Sequence, residues 1–159
     1  MWVAARSRLP ASSPLYVGDP LPICGVVNLA GGGEMQAFIP FEMSCCGSAV
    51  VEAMLGGTPA AFPERYNQTS VIKMLPLGTP QVIVWGQQDE CLPASLGEDY
   101  TAAAKQAGDP VLLVTFPGFG HFEIASPLSP TWPVVRSAIK HSWEGSDDQP
   151  AAARSPIAS

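Results

Sequence analysis

The sequence has few basic residues and no long apolar run. Eight lysines and arginines stand against fourteen aspartates and glutamates, which gives the 159-residue chain a formal net charge of −6. Nucleic acids and anionic membrane surfaces both attract basic faces, so we expect neither as a partner. No apolar stretch approaches the roughly 18 residues that a membrane span needs. These absences favour a soluble, cytoplasmic protein.

The cysteines lack the spacing of a metal site or a disulfide framework. Structural zinc sites use C-x-x-C or similar pairs, and the four cysteines, Cys24, Cys45, Cys46 and Cys91, form no such pair. We therefore expect free, mostly buried thiols in a reducing compartment. No metal and no cofactor is predicted.

The pattern G-x-S-x-G is also missing. In that pattern a nucleophilic serine stands on a tight turn between a strand and a helix. Ser48 follows Gly47, but Cys46 replaces the first glycine and no strand is predicted before it. Ser48 is therefore interpreted as a residue at a helix start, with a cryptic nucleophile as the alternative.

What the sequence does contain is an alternation of short apolar runs and helical segments. The runs at 23–30, 81–85 and 111–116 are predicted as buried strands, and 93–107 and 131–143 as helices. This alternation predicts an α/β fold of about three parallel strands with flanking helices.

The stretch between the first two predicted strands is long for a single crossover. We predict a cap-like insertion over about 34–76, irregular at 34–44, with short helices at 49–55 and 58–65. One domain at 1–143, beginning with the end of a helix at 1–9, is predicted to precede a disordered polar tail at 144–159.

Two polar residues follow neighbouring predicted strands. Asp89 comes after the second strand, and His121 comes after the third, in Gly118-Phe119-Gly120-His121-Phe122. The carboxyl ends of parallel strands meet at one edge of a sheet, where ligands of α/β proteins bind. A carboxylate there can hold the tautomer and orientation of an imidazole.

These two loops resemble the acid and histidine loops of the α/β-hydrolase family. The pattern Gly86-x-x-Asp89 with Pro93, followed by a helix, a strand and Gly-x-Gly-His-Phe, carries the resemblance. The approach segment Leu75-Pro76-Leu77-Gly78 is similar to that of esterase-like and kynurenine-formamidase-like members. The resemblance covers roughly residues 1–143.

The resemblance implies acyl transfer on a small ester or amide substrate by a Ser-His-Asp triad. Asp89 would orient His121, and His121 would act as general base and then as general acid. The chain order, acid before histidine, fits the family. The helix at 1–9 resembles the back half of the helix after the family's serine turn, which implies a serine before Met1.

Several alternatives stay open at this point. Glu90 could be the acid in place of Asp89, and Cys91 could be a nucleophile. One alternative to an active hydrolase is a truncated product or pseudoenzyme that acts as a binding or interaction module. Another hypothesis is an unrelated α/β binding domain. If the first predicted strand is unpaired on one side, self-association is expected through that edge. Hydrolysis by this chain alone is not expected.

Overall fold

The structure, a computed structural model, describes residues 1–144. Three β-strands and six α-helices follow one another along this part of the chain. They are α1 (Trp2–Ala5), β1 (Val26–Leu29), α2 (Met35–Cys46), α3 (Val50–Leu55), α4 (Pro63–Thr69), β2 (Gln81–Gly86), α5 (Ala94–Gln106), β3 (Val111–Phe116) and α6 (Trp132–Glu144).

The three strands form one parallel sheet in the order β1-β2-β3. Val27 pairs with Val82, and Ile83 pairs with Leu113. Parallel strands need long crossovers, which α2 to α4 supply between β1 and β2, and α5 supplies between β2 and β3. The predicted parallel α/β architecture is therefore confirmed.

The middle strand β2 forms the centre of the main core. Ile83, Val84 and Trp85 are at most 1% exposed, because helices cover both faces of the sheet, as a run of consecutive apolar residues requires. Gly97 lets α5 lie directly on the Trp85 ring, since a Cβ at this position would meet the ring at 2.5 Å.

The prediction of an irregular segment at 34–44 is wrong. These residues form most of α2, which contains Pro40 and ends where Gly47 adopts a left-handed φ of +71°. Proline inside a helix removes a hydrogen bond and normally ends the helix. Here Phe38 and Phe41 pack on the main core, and their burial outweighs this local cost.

The helix predicted at 58–65 is also misplaced. Thr58 accepts backbone hydrogen bonds in a turn, and α4 begins at Pro63 and runs to Thr69. The fixed φ of proline suits the first turn of a helix, and both Pro59 and Pro63 offer that signal. Packing decides that the helix begins at Pro63 and not at Pro59, because this start brings Tyr66 of α4 into the core.

The helices between β1 and β2 share a small core of their own. Val51 and Leu55 of α3 and Tyr66 of α4 are buried together, with Phe38 and Ile39 of α2 packed against them. This second cluster fits the cap-like insertion predicted over 34–76, which stays a prediction.

Within residues 1–144, no helix is long and apolar enough to cross a membrane. Glu144 ends α6, and the rest of the predicted disordered tail lies outside the described residues.

Candidate active site

Asp89 lies in the loop that follows β2, with its side chain completely buried. Its Oδ1 accepts the backbone N–H groups of Cys91 at 2.8 Å and Leu92 at 2.7 Å. Aspartate favours such turns because its short side chain reaches the backbone two or three residues on. A second hydrogen bond also holds this loop, because the Trp85 indole N–H donates to the Leu92 carbonyl at 2.9 Å.

His121 lies in the loop that follows β3 and meets Asp89 across the sheet edge. Its Nδ1 is 2.7 Å from Oδ2 of Asp89, and about a quarter of its side chain is exposed. A carboxylate only accepts hydrogen bonds, so the proton of the neutral ring belongs on Nδ1. Nε2 is then the basic nitrogen left for a reacting group.

The two loops are joined through their backbones. The N–H of Gln87 donates to the Phe116 carbonyl, and that of Gln88 donates to the Phe119 carbonyl, both at 3.0 Å. Gly86, the last residue of β2, lies against the histidine loop. A Cβ at Gly86 would collide with the carbonyl oxygens of Phe119 and Gly120. The spacing of the acid and the histidine is therefore set by main-chain contacts.

A third contact holds the histidine loop from the other side. Thr131, fully buried before α6, donates its hydroxyl to the Glu123 carbonyl at 3.2 Å and accepts from Ser129 at 2.9 Å. Sequence reasoning did not identify Thr131 as part of the site. Its only local signal is its place before a helix, which many threonines share.

A cavity of about 500 Å³ opens beside His121. Its walls come from the acid loop, the histidine loop and the end of α2, and the lining residues are Ser44, Gln88, Glu90, Cys91, Gly118, Gly120, His121, Phe122 and Glu123. A cavity of this size at the carboxyl ends of parallel strands fits a small ligand. The contribution of Ser44 was not foreseen, because α2 was predicted as irregular.

The alternative candidates lie in different places. Glu90 and Cys91 line the cavity, whereas Ser48 is exposed in the turn between α2 and α3, outside that lining. The second histidine of the chain, His141, was not a candidate, and it lies in α6 with its Nδ1 2.9 Å from the Ser137 carbonyl oxygen. Within residues 1–144, no group of three or more histidine, cysteine, aspartate or glutamate side chains could hold a metal ion.

Solved structures share this arrangement of strands and helices. An acylaminoacyl peptidase matches 88% of this chain with a TM-score of 0.63 and 13% sequence identity, over 22% of its own length. A puromycin hydrolase matches 76% with a TM-score of 0.50 and 21% identity, over 17% of its length. A puromycin-hydrolyzing peptidase of Mycobacterium tuberculosis matches 80% with a TM-score of 0.50 and 17% identity, over 18% of its length.

This chain carries part of an α/β-hydrolase fold. The fold predicted from the resemblance of the Asp89 and His121 loops is thereby confirmed as a three-stranded parallel sheet with flanking helices. The chain spans only about a fifth of the length of each of these three structures. No protein-family model and no curated protein matches the sequence.

Proposed function

We propose that Asp89 and His121 are the acid and the general base of a serine-hydrolase site for carboxylic esters or amides. We also propose that no serine of this chain serves as its nucleophile. The observation that carries the proposal is the 2.7 Å contact between His121 Nδ1 and a buried Asp89 oxygen, beside a cavity of about 500 Å³.

Each residue has a defined part in this chemistry. Nε2 of His121 takes the proton of a serine hydroxyl while the serine oxygen attacks the carbonyl carbon of the substrate. The same nitrogen then gives that proton to the departing alcohol or amine. Asp89 keeps the ring oriented and stabilises the imidazolium that forms. Its own oxygens are already paired with three donors, so burial leaves no carboxylate oxygen unsatisfied.

Two observations support the absence of a nucleophile in this chain. No serine has glycines both two positions before and two positions after it. Ser44 does line the cavity, but it lies inside α2 and donates its hydroxyl to the Phe41 carbonyl at 2.9 Å. The strained turn that exposes a serine nucleophile in this fold differs from such a helical position.

Ester hydrolysis by the full chain tests the second half of this proposal, that no serine of this chain is the nucleophile. The wild type would be compared with His121→Ala, Asp89→Asn and His141→Ala on p-nitrophenyl acetate and butyrate. His121 and His141 are the two histidines of the chain, so His141→Ala measures the slow background from an ordinary imidazole. We expect all four proteins to show only that background.

A different result would identify a nucleophile within the chain. Turnover that is lost in His121→Ala and Asp89→Asn but kept in His141→Ala would overturn the second half of the proposal. Labelling with a fluorophosphonate and peptide mapping would then distinguish Ser44, Ser48 and Cys91. The same labelling of the wild type is expected to yield no adduct.

A second candidate function is that of an interaction module. Within residues 1–144, one edge of β1 has no strand partner. Val26 and Ala30 donate to the carbonyls of Pro80 and Val84 on the β2 side, so the N–H of Val27 points to the open edge. An edge of this kind can pair with a second copy of the chain.

Sedimentation at increasing concentration tests this association. Val27→Pro removes a donor from the open edge without removing one that β2 uses, and Val3→Pro in the short helix α1 serves as a proline control. Dimers that disappear in Val27→Pro but persist in Val3→Pro would support the module. A monomer at all concentrations would contradict it.

The cytoplasmic location predicted from the sequence stays part of the proposal. Fractionation of cells that express the tagged full chain would test it, with recovery in the cytosolic fraction as the expected result. Recovery in a membrane or secreted fraction would overturn it.

A further inference from the structure

The wall of the cavity beside His121 carries negative charge. Glu90 and Glu123 both line it, whereas no lysine or arginine of residues 1–144 does. Neither of these glutamates forms a salt bridge within the same range. A cleft lined by charges of one sign concentrates their field, so this cavity attracts cations.

Two oxygen atoms of the cavity lining lie on the same side of Gly120. A Cβ placed on Gly120 would be 3.1 Å from Oε2 of Glu123 and 3.4 Å from the Gln88 carbonyl oxygen. Over residues 1–144, the hydrogen bonds to Glu123 end at its backbone carbonyl, and none ends at the Gln88 carbonyl. Because Gly120 has no side chain, the space next to these two acceptors stays open to a ligand.

The Phe122 ring lies in the same cavity with most of its surface free. It is 75% exposed, and it packs at right angles to the His121 ring, with centroids 5.2 Å apart. A cation over the face of an aromatic ring is attracted by the ring's quadrupole. The cavity thus combines an aromatic ring with two acceptors, a set of groups that suits a cation which also donates hydrogen bonds.

We propose that this cavity binds ligands that carry a primary ammonium group, held by the Glu123 carboxylate and the Gln88 carbonyl beside Phe122. An ammonium has three N–H donors and no acceptor, so it matches a site built from acceptors. Its hydrogen bond to a carboxylate is also stronger than one between neutral groups.

The consequence for the substrate rests on the proposed function. His121 directly follows Gly120 in the chain, so an ammonium group held there lies close to the proposed general base. The substrate class would then be esters or amides with an amino group near the reacting carbonyl. Binding of the ammonium group itself does not depend on hydrolysis.

Amide NMR titration of the full chain tests the binding directly. The probes are butylammonium, butan-1-ol, which has no charge, and butyltrimethylammonium, which keeps the charge but has no N–H donor. We expect butylammonium to shift the amide signals of Gly120, His121 and Glu123 in a saturable way and to bind more tightly than either other probe. Raising the salt from about 0.1 M to about 1 M should weaken its binding, because salt screens exposed charges.

Matched variants assign the binding to individual groups. Glu123→Gln keeps the shape of the side chain and should raise the Kd of butylammonium by up to about five-fold, the range of an exposed ion pair. Phe122→Leu should raise it by a similar factor through loss of the cation–π contact. Glu98→Gln removes the same charge from an exposed position of α5 outside the cavity, and its Kd should equal that of the wild type.

Each part of this inference has an outcome that would overturn it. Equally tight binding of butan-1-ol would refute the need for charge, and equally tight binding of butyltrimethylammonium would refute the hydrogen bonds beside Gly120. The same Kd in Glu123→Gln and Glu98→Gln would exclude Glu123 as the partner. If no probe shifts these amides, the ammonium site fails as a whole, while the roles of Asp89 and His121 keep their own tests.

Discussion

Gly86 and Phe119 lie so close that no side chain fits between them. A Cβ on Gly86 would collide with the Phe119 carbonyl oxygen, and that same oxygen accepts the N–H of Gln88. The contact joins the end of β2 to the loop that carries His121. The distance between the acid and the histidine therefore depends on a residue that belongs to neither.

Gly86→Ala is expected to displace the histidine loop. The backbone has to move, since the clash is with main-chain atoms, and overpacking of this kind typically costs about 1–3 kcal/mol. Urea unfolding would measure the loss, and the NMR signal of the His121 Nδ1 proton should weaken as its bond to Asp89 lengthens. Gly32→Ala is the matched control, because the added Cβ would find its nearest neighbour, the Glu34 carbonyl oxygen, at 4.0 Å. Equal stability of the two variants would refute the steric argument.

Asp89→Asn should change the tautomer of His121 without unfolding the protein. The amide oxygen can still accept the N–H groups of Cys91 and Leu92, but the amide nitrogen then donates toward Nδ1 of the ring. The ring proton would move to Nε2, which removes the basic nitrogen from the cavity. Nitrogen chemical shifts at a pH where the ring is neutral would report this change.

The matched control for this experiment is Glu90→Gln, an exposed neighbour in the same loop. Glu90→Gln should leave the tautomer of His121 as it is in the wild type. Both variants would be made in a His141→Ala background, so that His121 gives the only histidine signal. If Glu90→Gln shifts the tautomer and Asp89→Asn does not, Glu90 is the acid and our assignment is wrong.

A second buried carboxylate, Asp109, is predicted to stabilise the fold. It lies before β3, where it accepts the N–H of Leu77 and of Gly78 at 2.7 Å and the Gln81 amide at 3.0 Å. In Asp109→Asn, the amide NH₂ would face these donors and could accept nothing from them. A buried donor left without a partner, together with the lost hydrogen bond to a charged carboxylate, should lower the free energy of unfolding by roughly 3 kcal/mol. Chemical denaturation would measure it, beside exposed Asp99→Asn, for which we expect less than about 0.5 kcal/mol. Matching losses in the two variants would contradict this role.

Tyr100 should make stability fall in alkaline solution. Burial, with the nearby Asp109 charge, raises its pKa well above the ordinary value. Below about pH 10 the phenol is protonated in both the folded and unfolded states, so it adds no slope. Above that pH the unfolded state loses the proton first, and the free energy of unfolding decreases as the pH rises.

Denaturation at about pH 9 and pH 11 would check this slope in the wild type and in Tyr100→Phe. The variant loses the 2.7 Å bond to Gln81 and should be less stable at both values, but its stability should fall less between them. Tyr16→Phe, at an exposed position, serves as the control and should keep the wild-type slope. A steeper fall in Tyr100→Phe than in the wild type would be inconsistent with the buried phenol as the cause.

The site could be predicted as far as it depends on strand order. Asp89 and His121 each follow an apolar run, and parallel pairing brings the ends of such runs together. Sequence reasoning missed α2 because Pro40 is a strong local signal against a helix, whereas the packing of Phe38 and Phe41 that overrides it is not local. The position of Thr131 under the Glu123 carbonyl likewise follows from tertiary packing.

The joining of the two loops by main-chain atoms has a consequence for sequence divergence. The bonds that fix their spacing use the backbones of Gln87 and Gln88, while the side chains of both residues and of Phe122 are exposed. Mutations at these three positions can therefore accumulate without moving the acid or the histidine. Gln88 and Phe122 line the cavity, so selection could change that lining, and with it the ligand that fits, while the distance between Asp89 and His121 is kept.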